Sequence, residues 1–257
     1  MATTTYSLGT LINTPTQRET YLNDYYTQDV YSFRINSTSS VNLNLHNITA
    51  GDDADLRLFR DINNNGVFDS SSDVFILDSR RTGNSDDSIN YRVVAGNYLA
   101  VVDRYAPGSQ GRLDYHLDLS ATPTPPSSTT APNLLDLPSD GNYFIDLNRA
   151  WHWELTNAVG DSDTVDTLAF SLGNYRGATI NLSGLSNDAD IRLIRDFNRN
   201  RIVDPGEVVV NGSSNNAGTA SEFLRLEDTG YYFLQVYQYS GNTNYKLNVD
   251  QYATSYA

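Results

Sequence analysis

The chain of 257 residues has no cysteine, one lysine (Lys246), one methionine and five glutamates. Without cysteine there are no disulfides, no thiol nucleophile, no Fe–S cluster and no Cys-type zinc site. The shortage of Glu and Lys, which fill helix surfaces, argues against a mostly helical protein. No apolar run approaches the roughly 20 residues that a membrane-spanning helix needs. Net charge is −14, which argues against nucleic acid and against simple adsorption to an anionic membrane, since both need clustered Lys and Arg. The first residues, Met1 to Tyr6, show neither a basic nor an apolar stretch. No signal peptide is therefore expected in this chain. Three explanations fit that start: cytoplasmic residence, a mature form with an added Met, or export by an uncleaved signal elsewhere.

What is abundant is Asp (26), Asn (27) and Tyr (18). Asp and Asn favour turns and supply oxygen ligands, and Tyr favours strands. The sequence also repeats itself. The run ADLRLFRDIN at 54–63 recurs as ADIRLIRDFN at 189–198. Tyr6, Asp29, Phe33 and Leu45 match Tyr143, Asp166, Phe170 and Leu182 further upstream. Residues 121–132 separate the copies and hold four of the eight prolines, the composition of a semi-stiff linker. The expected organisation is a first domain over 1–120, a linker over 121–133 and a second domain over 134–257.

Within each copy apolar residues alternate with polar ones. Val41, Leu43 and Leu45 do so in the first, as do Leu113, Tyr115, Leu117 and Leu119; Ile180 and Leu182, then Tyr245, Leu247 and Val249, do so in the second. Period 2 with Asn/Asp/Gly/Ser turns predicts about seven or eight short strands per domain, arranged as an antiparallel β-sandwich. The fold class is all-β, with two tandem sandwiches.

Each copy then carries an Asp/Asn ladder. Asp61, Asn63, Asn65, Val67 and Asp69 in the first match Asp196, Asn198, Asn200, Ile202 and Asp204 in the second. These are positions 1, 3, 5, 7 and 9 of a calcium loop. Alternate side chains aim oxygens at one centre and the position-7 carbonyl adds another. Position 12 wants a bidentate carboxylate. The second loop has Glu207 there; the first has Ser72, with Asp73 one residue late. Position 6 wants positive φ and is Gly66 in the first loop but Arg201 in the second. About one Ca²⁺ per domain is expected, held by these residues. An Asx-rich turn without metal is the alternative. Asp55 and Asp190 either join the sites or are solvated strand residues.

The runs ADLRLFRDINNNG (54–66), GDSDTVDTLAF (160–170) and GYYFLQVYQYSGNTNY (230–245) together resemble the bacterial pre-peptidase C-terminal (PPC) domain family, in two tandem copies without a peptidase domain. The match is weaker at 103–111, where DRYAPGSQG replaces the Tyr-Ser-Gly-Asn turn. The resemblance implies a jelly-roll-like sandwich that accompanies secreted proteases and other exported proteins. Related collagen-binding modules bind calcium and extracellular polymers. It implies no catalysis.

No Gly-x-Ser-x-Gly, His-Glu-x-x-His or phosphate-binding loop is present. His46 and His116 fall at polar positions of alternating strands and are expected at the surface. Trp151 and Trp153 flank His152; they suit either a packed face or a stacking platform. Tyr231, Tyr232, Tyr237, Tyr239, Tyr245 and Tyr252 cluster near the C-terminus, and alternation places Tyr237 and Tyr239 on one face. The function expected is a non-enzymatic, secreted or cell-surface calcium-binding module whose partner is an extracellular polysaccharide or protein. One alternative is a subunit that self-associates into a fibre or surface layer. The other is a carboxylate-based hydrolase.

Overall fold

The computed structural model describes residues 2–106, 108–135, 143–147 and 151–254. The chain divides after Thr124 into two compact units. The first contains β1 (Ala2–Thr10), β2 (Thr16–Asn23), β3 (Tyr26–Ile35), β4 (Ser39–His46), β5 (Asp53–Arg60), β6 (Val74–Ser79), β7 (Asp87–Val93), β8 (Gly96–Ala106) and β9 (Arg112–Pro123). The second contains β10 (Tyr143–Ile145), β11 (His152–Val159), β12 (Val165–Leu172), β13 (Arg176–Ser183), β14 (Asp188–Ile194), β15 (Val208–Ser214), β16 (Glu222–Leu226), β17 (Gly230–Ser240) and β18 (Thr243–Ala253). Among the described residues there is no helix.

Each unit has a five-stranded and a four-stranded sheet. The orders are β1-β3-β8-β5-β6 and β2-β9-β4-β7 in the first, β10-β12-β17-β14-β15 and β11-β18-β13-β16 in the second. Adding nine to each strand number converts one order into the other, so the sequence repeat is a repeat of topology. Two details differ from the sequence-based expectation. Among the described residues each unit has nine strands, where about seven or eight were expected. The first of each nine, β1 and β10, pairs in parallel with β3 and β12; all other pairs are antiparallel. The parallel pairing follows from the path: β2 and β11 lie in the opposite sheet, so the chain crosses over before β3 and β12 return to the first one.

The alternating apolar residues face one another across the two sheets. Val41, Leu43, Leu45, Leu56, Leu58, Leu117 and Leu119 are buried together in the first unit, and Ile180, Leu182, Ile191, Leu193, Leu247 and Val249 in the second. Truncating such a leucine to alanine costs about 2–5 kcal/mol. A buried acid–phenol bond accompanies each core: Tyr115 donates to Asp29 Oδ2 at 2.5 Å and Tyr245 to Asp166 Oδ2 at 2.5 Å.

The stretch read as a linker is largely absorbed into the units. Ala121, Thr122 and Pro123 are the end of β9, opposite Val41, Ser40 and Ser39, because a strand left unpaired there would strand its backbone polar groups. At the other end Ala131 packs with Val165 and Tyr237, the Pro132 carbonyl accepts a hydrogen bond from Arg192, and Leu134 bridges Ile202. Between these ends the Thr130 N–H bonds the Ser127 carbonyl in a turn.

Candidate metal loops

Both Asx loops follow the last residue of the strand next to the sheet's outer edge, β5 and β14, and precede the edge strand, β6 and β15. Their internal wiring is the same. Asp61 Oδ2 accepts the N–H of Gly66 at 2.9 Å, and Asp196 Oδ2 that of Arg201 at 3.2 Å. Asn63 Oδ1 accepts Asn65 N–H at 3.1 Å, and Asn198 Oδ1 accepts Asn200 N–H at 3.0 Å. Asn65 and Asn200 do the same to Val67 and Ile202, at 2.8 and 2.9 Å. Each such bond closes a turn in which an Asx side chain accepts a backbone N–H further along the loop.

The two departures noted in the sequence are resolved by this geometry. Arg201 sits at φ 64°, matching Gly66 at 69°, and Arg199 at 59° matches Asn64 at 57°. The second loop therefore takes the left-handed turn without a glycine. Asp73 does in the first loop what Glu207 does in the second. Its Oδ2 accepts the N–H of Asp69 at 2.8 Å, as Glu207 Oε2 accepts that of Asp204 at 3.0 Å. A shorter side chain placed one residue later reaches the same N–H. Glu207 also holds the loop start through Phe197 N–H at 2.9 Å.

The ninth positions differ. Asp204 Oδ2 draws in the amides of Asn198 and Asn200, both at 2.8 Å. Asp69 instead turns to the N–H and hydroxyl of Ser71 at 2.9 and 2.7 Å, and these bonds hold its carboxyl below the usual carboxylate range. Among the described residues, no three acidic or histidine side chains are grouped to hold a metal. The donor set of the loops is mixed: carboxylates, Asn amide oxygens and the carbonyls of Val67 and Ile202. That chemistry suits a hard cation wanting six to eight oxygens. Asp61 Oδ1, Asp73 Oδ1 and Asp196 Oδ1 are buried without a hydrogen-bond partner. An orphaned buried carboxylate oxygen is costly, and a cation in the loop would satisfy it.

Other singled-out residues fall elsewhere. Asp55 and Asp190 neither join the loops nor face solvent; both are buried on β5 and β14. His46 is likewise buried, contrary to its expected surface position. Its Nε2 lies 3.0 Å from Asp118 Oδ2 on the neighbouring strand, and its ring meets that of His116 edge-on at 5.3 Å. His152 is exposed, 2.6 Å from Asp250 Oδ1. Trp153 packs on the second core, while Trp151 is exposed with the Arg176 guanidinium 4.3 Å over its ring. Tyr239 is an extra residue where the β14–β17 register shifts; Tyr237 is buried against Ala131 and Val165, outside the second core, and Tyr239 is exposed. Tyr232 and Tyr245 are core, and Tyr231 is exposed.

Several residues escaped the sequence reading. Asn97 Nδ2 donates to Asn64 Oδ1 at 2.6 Å and braces the first loop. Beside that loop lies an open groove of about 500 Å³, whose lining includes Ser7, Thr10, Ser32, Arg34 and Asn97. Tyr25 and Tyr26 form an exposed edge-to-face pair at 4.8 Å. Tyr105, the bulge residue of β8, is also exposed. The adjoining Arg104 bonds Asp24, next to Tyr25, at 2.7 Å. Nothing in the spacing of these residues ties them together; only the fold does.

No protein-family model matches the chain. No curated protein matches it significantly. Among solved structures, the pre-peptidase C-terminal domain of collagenase from Bacillus anthracis is 20% identical, with 47% of this chain and 94% of that one covered and a TM-score of 0.32. PliG of Aeromonas hydrophila, a periplasmic inhibitor of g-type lysozyme, is 18% identical over 43% of this chain and 96% of its own, with a TM-score of 0.31. The CUB1-EGF-CUB2 segment of human MASP-1/3 is 6% identical over 92% and 99%, with a TM-score of 0.28. All three TM-scores are below 0.5, so the two-sandwich architecture rests on the strand order itself.

Proposed function

We propose that the chain is a non-catalytic, exported tandem β-sandwich module. Each unit is stabilised by one Ca²⁺ in its Asx loop, and the module binds an extracellular polysaccharide or protein. The observation that carries the calcium reading is the matched wiring of the two loops at positions 1, 3 and 5 around buried, unpartnered carboxylate oxygens. Asp61, Asn63, Asn65, Val67, Asp69 and Asp73 would hold the ion in the first unit. Asp196, Asn198, Asn200, Ile202, Asp204 and Glu207 would hold it in the second. The bound ion supplies charge compensation and cross-links the entry and exit of each loop. Because it binds only the folded loop, its free energy adds to folding.

Location outside the cell is supported by the same chemistry. Loops of this kind fill where Ca²⁺ is plentiful. Partner binding is supported by the exposed aromatics Tyr25, Tyr26 and Tyr105, which flank the Asp24–Arg104 ion pair. Aromatic side chains with polar neighbours suit both sugar rings and protein surfaces. The test is thermal unfolding of the full chain in EDTA and in millimolar Ca²⁺. At a concentration about 100 times Kd, a gain of about 2.7 kcal/mol per site is expected, or on the order of 10 °C in Tm. Equal melting temperatures in the two buffers would refute the calcium reading.

A further inference from the structure

Away from the loops, each unit buries three carboxylates that lie within electrostatic reach of one another, along a seam to which strands of both sheets contribute. On the first side are Asp53 and Asp55 of β5, and Asp188 and Asp190 of β14. From the other sheet come Asp87, the first residue of β7, and Glu222, the first residue of β16, while Asp55 and Asp190 lie on the strand face away from the core residues Leu56 and Ile191. The surroundings repeat as well. Ser79, the last residue of β6, donates to Asp87 at 2.6 Å, and Ser214, the last of β15, donates to Glu222. The backbone N–H two residues after each serine, of Arg81 and Asn216, donates to the same carboxylates at 2.9 Å. None of the six acids is more than 9% exposed. Four of them carry an oxygen with no hydrogen-bond partner: Asp53 Oδ1, Asp87 Oδ2, Asp188 Oδ1 and Asp190 Oδ2.

Such a cluster cannot stay fully ionised cheaply. Each charge has lost water and feels like charges beside it. In the first unit Asp55 feels Asp53, Asp103 and Asp78 against Arg80, with Arg57 and Arg104 lining the same groove as Asp55, and Asp87 feels Asp55 against Arg81. In the second, Asp190 feels Asp188 and Glu222, and from β17 it takes a hydrogen bond from Tyr237; Arg192 lies against that tyrosine ring. Glu222 in turn feels Asp188. A proton on one of the acids relieves that repulsion.

We propose that each seam is a proton-binding site, and that both units are consequently more stable in mild acid than at neutral pH. Burial, then the neighbouring acids, pushes the Asp190 carboxyl up to about 7 and that of Asp55 up to about 6. Burial pushes Asp87 up to about 6. The ordinary value in each case is 3.8. Below about pH 4 both folded and unfolded chains hold these protons. Between about pH 4 and 7 only the folded chain does, so stability declines as pH rises through this window and levels off above it. Asp55 opens onto a groove of about 340 Å³ lined also by Arg57, Arg80 and Tyr105, through which protons exchange with solvent.

The test uses the full chain in EDTA, which separates it from the calcium reading. Between pH 5.5 and 8.0 the wild-type Tm is expected to fall by at least 5 °C. Asp190→Asn, a neutral mimic of the protonated acid, is expected to raise Tm at pH 8.0 and flatten the slope of the second unit. Asp55→Asn is expected to do so for the first. Side-chain carboxyl NMR of the wild type is expected to show Asp190 titrating near 7. An unchanged slope in both variants, or Asp190 titrating near 4, would overturn the proposal. So would a pH slope in Asp61→Asn/Asp196→Asn that millimolar Ca²⁺ abolishes, since the seams would then hold metal.

Discussion

At the scale of single residues, the same side-chain role is filled by different residues in the two copies. Asp73 and Glu207 meet the same N–H from positions one residue apart, so a carboxylate that looks misplaced in the sequence is in register in the fold. Gly66 and Arg201 share one backbone conformation. Gly66→Ala is expected to cost about 1 kcal/mol and to weaken calcium at the first loop only. Its new Cβ sits 3.4 Å from Ser32 Oγ, so strain at φ 69° and not a clash sets the cost; urea unfolding with a calcium titration measures both. Tyr115→Phe removes the donor to Asp29, whose carboxyl burial already pushes up. A loss of about 1–3 kcal/mol is expected, and Tyr245→Phe should lose as much in the second unit, read from two-transition calorimetry.

At the scale of strands, apolar alternation made the sandwich legible. The positions of Leu43, Leu56, Leu117, Ile180 and Leu247 in the core follow from period 2 alone. What alternation could not convey is the state of the other face. Asp55 and His46 sit at polar positions, yet both are buried, because partners from neighbouring strands, Asp118 for His46 and the seam acids for Asp55, surround them. It also could not convey the bulges at Tyr105 and Tyr239, which break the period at matched places in β8 and β17. The two Asx loops were legible as an Asp/Asn ladder. Their bracing by Asn97 and by Leu134 was not, since both come from distant sequence. The buried side chain of Arg104 ties β8 to Asp52 and Asp24 at 3.1 and 2.7 Å. Arg104→Ala leaves Asp52 buried without its cation and is expected to cost about 3–5 kcal/mol, measured by chemical unfolding of the first unit.

At the scale of the whole molecule, the duplication is the organising fact. Two copies of one nine-strand topology carry two Asx loops and two acid seams at corresponding positions. Acid and calcium are then expected to stabilise the fold independently. Falling pH through 7 to 4 stabilises the seams, and Ca²⁺ in the proposed loop sites stabilises each unit. Resistance of the folded chain to proteolysis in EDTA is accordingly expected to be higher at pH 5.5 than at pH 8.0, and calcium is expected to raise it at both. The most direct measurement of the central claim is a calorimetric Ca²⁺ titration of the EDTA-stripped full chain. Two ions per chain are expected, falling to one in Asp61→Asn and in Asp196→Asn and to none in the double variant. Absence of binding in the wild type, or two ions still bound by the double variant, would contradict it.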